Sequence, residues 1–209
     1  MKFVVVYESM FGNTQAIAKA IAEGLSDRMR VEALEVGVAP TTIDDDVELL
    51  VVGGPTHAFG MSRPQTRQDA AKQATAGLVS RGIGLREWLT SLQAPAGVAA
   101  AAFDTRISKP RLPGSAARAA EKRLRRLGFR IAAPAESFHV EGTSGPLHEG
   151  EQQRARRWAS RSGQGPATWA TPSADDRLRA FTGPPPPRRL TEDALRVPVL
   201  HEGRPRPDS

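Results

Sequence analysis

The feature that most constrains this chain is a repeated switch between two kinds of apolar patterning. Phe3-Val4-Val5-Val6 is a continuous, largely β-branched run, the pattern of a strand buried on both faces. It is followed within a few residues by Ile17, Ala18, Ile21 and Leu25, spaced as one stripe of a helix over 14–25. Val31–Val36 reads as a short strand, and Leu49-Leu50-Val51-Val52-Gly53 as another fully buried one. Helices are predicted over 64–76 and 85–92, a small-residue strand over 97–103, and a helix over 115–127 closed by Gly128. A last strand, residues 129–133 and 137–140, is interrupted at Pro134, which suits a sheet edge. A helix over 148–160 follows. Five such alternations specify an α/β domain with a doubly wound parallel sheet and helices on both faces.

Sheets of this kind bind ligands beyond the carboxyl ends of their strands, where the strand order reverses. The loops to read are therefore Glu8–Thr14, Gly54–Arg63 and Asp104–Gly114. The first, Glu8-Ser9-Met10-Phe11-Gly12-Asn13-Thr14, joins a buried strand directly to a helix start. A helix N-terminus offers unpaired N–H groups and the positive end of the helix dipole, so it holds phosphate without a full charge. Gly12 lets the backbone bend inward, Ser9 and Thr14 supply hydroxyls, and Asn13, the only asparagine of the chain, stands at the expected cap.

Other nucleotide and phosphate chemistries are excluded. No Gly-Lys-Ser/Thr triplet exists for a P-loop, and no G-x-G-x-x-G follows a strand. A phosphoacceptor domain needs acidic residues at the ends of strands 1 and 3, yet the third strand ends Gly53-Gly54-Pro55. The chain has no cysteine, which removes disulfides, thiolate zinc, iron–sulfur ligation and a catalytic thiol and agrees with a reducing compartment. With only Phe3–Tyr7 as an apolar run near the start, no signal peptide or membrane span is expected. The expected location is the cytoplasm.

The sequence contains 29 Lys and Arg against 23 Asp and Glu. The excess is spread along the chain apart from one dense patch at Arg118–Arg126, so no nucleic-acid partner is expected. That patch is a candidate for docking an acidic partner protein. From residue 163 the pattern changes to proline-punctuated polar sequence, including Pro184–Pro187. Residues 1–162 are thus expected to be one domain. Residues 163–209 form a Pro/Arg-rich tail expected to be mostly disordered, its proline run able to adopt an extended polyproline helix.

Ser9, Phe11, Gly12, Asn13 and Thr14 resemble the phosphate loop of the flavodoxin family, with Phe11 where the common pattern has threonine. Gly53-Gly54-Pro55-Thr56-His57-Ala58-Phe59-Gly60 is similar to the family segment that lies against the isoalloxazine ring, and Ala102-Phe103-Asp104-Thr105-Arg106 occupies the position of the loop lining its other side. The resemblance implies strand order 2-1-3-4-5, non-covalent flavin mononucleotide (FMN) and electron transfer to a partner protein it does not name. It implies cofactor contacts from Ser9, Met10, Phe11, Gly12, Asn13 and Thr14, from Pro55, Thr56, His57, Ala58, Phe59 and Gly60, and from Phe103, Asp104, Thr105 and Arg106. Phe59 or His57 would stack on the ring, Gly60 would permit a peptide flip, and Arg106 would approach the pyrimidine side. An FMN-dependent oxidoreductase acting on a quinone or small organic substrate, and a flavin-free binding module of the same fold, remain alternatives. No catalytic acid–base pair and no metal site are expected.

Overall fold

A computed structural model describes residues 1–57, 59–74, 77–95, 97–109 and 113–162. Ala58 and the 163–209 segment, both named above, lie outside the described residues.

β1 (Lys2–Tyr7) runs parallel to β2 (Val31–Glu35) on one side and to β3 (Val47–Pro55) on the other. β4 (Ala99–Ile107) continues the sheet beside β3. Beyond β4 the last position is shared by β5 (Arg130–Ile131) and β6 (Glu136–Val140), both parallel to β4. The order is β2-β1-β3-β4-β5, the fifth position being the strand that Pro134 interrupts. The helices are α1 (Asn13–Ser26), α2 (Pro64–Gln73), α3 (Leu85–Ser91), α4 (Ala116–Arg126) and α5 (Glu151–Ser162).

Burial follows the alternation of side chains along each strand. Val4, Val6, Leu50, Val52, Ala100 and Ala102 face one layer, where they join Leu85, Trp88 and Leu89 of α3 and Ala116, Ala120 and Leu124 of α4. Each valine or leucine among them contributes ~1.5–3 kcal/mol when fully buried. On the other side α1 packs against α5. Gly24 belongs to that contact, because a Cβ there would fall 2.5 Å from the Arg156 carbonyl oxygen. Ala99–Ala102 are all buried, so the central strand β4 admits helices closely on both faces.

β3 and β4 run further than the sequence reading placed them. β3 begins at Val47 and adds Gly54 and Pro55 beyond Gly53, and β4 includes Asp104–Ile107, which the sequence assigned to a loop. Polar residues are retained in β4 because β6 pairs with it from Phe103 to Ile107. Gly53 is required by packing: a Cβ would lie 2.1 Å from Cζ of Phe103.

Candidate functional site

At the carboxyl end of the sheet a cavity of about 300 Å3 opens between the loops after β1, β3 and β4. This volume lies at the lower end of the usual small-molecule range of ~300–1,000 Å3.

Its first wall is the loop before α1. Gly12 occupies the N-cap position with φ +88°, and no atom lies within 4 Å of where a Cβ would be. Its left-handed backbone, not crowding, requires glycine. The Ser9 hydroxyl is buried and accepts from the N–H groups of Gly12 (3.1 Å) and Gln15 (3.3 Å). Ser9 therefore braces the loop and keeps its own hydroxyl proton available. Among the described residues, no protein group accepts from the main-chain N–H of Phe11, Asn13 or Thr14. These are the donors that the sequence pattern anticipates. Asn13 differs from its expected role: it is the first helical residue, makes no capping bond, and instead donates from Nδ2 to the Ser144 carbonyl at 2.9 Å.

The second wall comes from the ends of β3 and β4. The hydroxyls of Thr14 and Thr105 are 2.7 Å apart and both buried. One donates to the other, leaving one proton of the pair to offer elsewhere. Thr56 donates from Oγ1 to Oδ2 of Asp104 (2.9 Å) and accepts from the N–H of Ala116 (2.9 Å). Asp104 is fully buried, and the same oxygen accepts from Ser115 Oγ (2.6 Å) and Ala117 N (2.9 Å). Asp104 thus ties the ends of β3 and β4 to the start of α4.

His57 and Gly60 exchange main-chain hydrogen bonds of 2.8 and 2.9 Å, making a tight hairpin at the cavity rim. Burial holds the His57 pKa below the ordinary histidine range, and the Arg67 charge pushes it the same way, against a bond to the main chain of Thr66. Both effects favour the neutral imidazole. Among the described residues of this hairpin the left-handed one is Phe59, at φ +76°, where the sequence reading had assigned the flexibility to Gly60. Phe59 is 61% exposed and is not part of the cavity wall, whereas His57 is.

Of the sixteen residues named from the sequence, Ser9, Met10, Phe11, Asn13, Thr14, Pro55, Thr56, His57, Thr105 and Arg106 line the cavity. Gly12 shapes the loop without lining it. Phe103 and Asp104 belong to the interior. The Phe103 ring packs edge-on against Phe138, with centroids 6.2 Å apart, and Asp104 is spent on the Thr56, Ser115 and Ala117 bonds above. Arg106 donates from Nη1 to the Gly114 carbonyl at 2.8 Å. The structure adds residues that the sequence reading did not name. Ile107, Val140 and Thr143 close one side, and Thr66, Asp69, Ala70 and Gln73 of α2 close another. Val140 and Thr143 follow the rule that sites gather after strand ends. The α2 residues carry no such signal, since a polar helix reads as solvated.

Beneath the site, the Glu8 carboxyl is buried at the end of β1. Its Oε2 accepts from Leu85 N at 2.7 Å, and Oε1 has no partner among the described residues. Burial pushes its pKa above the ordinary carboxylate range, against a hydrogen bond from Ser62 and the nearby charge of Arg67. His139 and His148 form an edge-on pair away from the cavity wall, with centroids 6.4 Å apart. Among the described residues there is no group of three potential metal ligands, and no helix is long and apolar enough to cross a membrane.

This doubly wound sheet, with its site at the ends of β1, β3 and β4, is a flavodoxin-like fold. The flavodoxin family model matches residues 5–94, which include the loop before α1 and all of β3. No curated protein sequence matches the chain. Among solved structures, a flavodoxin from the domain Archaea is 22% identical with TM-score 0.55, over 78% of this chain and 97% of its own. Oxidised Flavodoxin 1 from Bacillus cereus is 17% identical with TM-score 0.57, over 78% and 98%. The Flv1 flavodiiron core from Synechocystis sp. PCC6803 is 17% identical with TM-score 0.52, over 78% of this chain and 35% of that one. At these identities the likeness concerns the fold.

Proposed function

We propose that residues 1–162 form a domain that binds FMN non-covalently and transfers electrons to and from a partner protein. The observation that carries this reading is the loop before α1: the N–H groups of Phe11, Asn13 and Thr14, without protein acceptors, border a cavity that extends to the ends of β3 and β4. A phosphate fits this donor set, because aligned N–H groups and the helix dipole stabilise an anion there. The Ser9 hydroxyl and the Thr14–Thr105 pair add donors.

FMN when bound would supply the redox chemistry, and the chain supplies position and electrostatics. Pro55, Thr56 and His57 would border the ring from the β3 side, and Thr105 and Arg106 from the β4 side. Arg106 would bring positive charge to this wall, which would favour a reduced flavin that carries negative charge. The absence of cysteine and the expected cytoplasmic setting belong to the same proposal.

The test compares FMN with riboflavin, which lacks the phosphate. Purified chain should bind FMN far more tightly. Equal affinity for the two, or none for either, would remove the proposal.

A further inference from the structure

α4 turns Ala116, Ala117, Ala120 and Leu124 to the core. Its other face is positively charged: Arg118, Lys122, Arg125 and Arg126 are all exposed. Glu121 is the only acid of the helix, and it is already engaged. Its Oε1 accepts from Arg125 Nη2 (2.8 Å) and its Oε2 from the N–H of Ala135 (2.7 Å). Among the described residues, the side chains of Arg118, Lys122 and Arg126 make no hydrogen bond or ion pair.

This stripe does not serve the helix that carries it. Arg118, Lys122 and Arg126 repeat at i, i+4 and i+8, where like charges repel. Arg125 and Arg126 complement the negative end of the helix dipole, but Arg118 stands in the first turn, beside the positive end, with no acid there to offset it. Arg118 and Lys122 therefore destabilise α4 with no compensating contact in the domain.

The stripe begins at the cavity. The N–H of Ala116 donates to Thr56 Oγ1 at 2.9 Å, and Thr56 lines the cavity wall. Gly114, just before the N-cap Ser115, lies against Phe59: a Cβ on Gly114 would fall 1.9 Å from the Phe59 carbonyl oxygen. Phe59 is 61% exposed and held at φ +76°, an uncommon backbone for a bulky residue. An exposed aromatic ring beside arginines is the composition of a protein-binding surface.

Resting on the electron-transfer reading above, we propose that the exposed face of α4, together with Phe59, docks an acidic electron-transfer protein. Carboxylates of the partner pair with Arg118 and Lys122, and Phe59 packs against it at the cavity rim. Opposite charge steers the encounter and fixes its orientation. Duplex nucleic acid is the other polyanion that could meet a basic stripe, and the exposed Phe59 favours the protein.

The experiment is calorimetric titration of the full chain with an acidic two-iron ferredoxin, at low and at high salt, and in parallel with a duplex oligonucleotide. Wild type should bind the ferredoxin more tightly than the duplex, and its affinity should fall roughly tenfold or more on adding salt. The double variant Arg118→Glu, Lys122→Glu should lose about as much at low salt and keep little salt dependence, with FMN affinity unchanged. Phe59→Ala should weaken ferredoxin at both salts alike. No binding of ferredoxin, affinity indifferent to the double reversal, or tighter binding of the duplex overturns the inference while the FMN reading stands. A chain that docks ferredoxin in this way yet binds no FMN overturns the FMN reading and leaves the docking surface.

Discussion

The hydroxyls of Thr14 and Thr105 lie 2.7 Å apart and join the first turn of α1 to the end of β4. Ninety-one positions separate them in sequence, so this pair closes the site only once the sheet has formed. It makes the proposed phosphate end of the cavity a product of tertiary structure as well as of the local loop. Thr14→Val should therefore weaken FMN about tenfold, the order expected for one lost hydrogen bond. Riboflavin affinity should change little. Equal losses for the two ligands would place Thr14 outside the phosphate site.

Asp104 is a matter of stability. One buried oxygen accepts from Thr56, Ser115 and the N–H of Ala117. Asp104→Ala leaves these donors without their acceptor and should cost roughly 3 kcal/mol or more in urea unfolding, since each stranded buried group costs ~1–3 kcal/mol. Asp104→Asn keeps an acceptor oxygen and should cost less. A neutral Asp104→Ala variant would contradict the bonding described.

Gly53 and Phe103 make a steric prediction. Because a Cβ on Gly53 would sit 2.1 Å from the Phe103 ring, Gly53→Ala should destabilise the domain by ~1–3 kcal/mol through overpacking. Adding Phe103→Leu should recover part of that loss, whereas strictly additive losses would show that the two positions do not compete for space. Chemical denaturation of the single and double variants measures this coupling.

Much of this architecture is written locally. The Val4–Val6 and Leu50–Val52 runs mark central strands because both faces of a parallel sheet are covered, and the loop from Ser9 to Thr14 follows from the strand-to-helix junction. What was not legible depends on distant pairing. Asp104 and Thr105 look like loop residues until β6 is seen beside them. Phe103 reads as a cofactor-lining residue until Gly53 and Phe138 are found around it. Asp69 and Gln73 look like ordinary solvated positions, since nothing in a helix sequence says which polar face closes a cavity. Phe59 in the left-handed region runs against residue preference, which pointed to the adjacent Gly60.

Glu8 gives a pH prediction. Its pKa is raised by burial above the ordinary 4.5. A raised carboxyl contributes fully below its unfolded value, and that contribution is lost as pH rises through the folded value. The stability of wild type relative to Glu8→Gln should therefore fall from pH 4.5 upward and level off once Glu8 is ionised. Unfolding free energies at several pH values supply the comparison, and a pH-independent difference would show that Glu8 is not perturbed.

The most direct test of the central claim is titration of the full chain with FMN, followed by quenching of flavin fluorescence. The account expects saturation at one FMN per chain, with the bound flavin reducible and reoxidisable. A chain that leaves FMN fluorescence unchanged at every concentration would contradict it, and the flavodoxin-like fold would then serve a function without flavin.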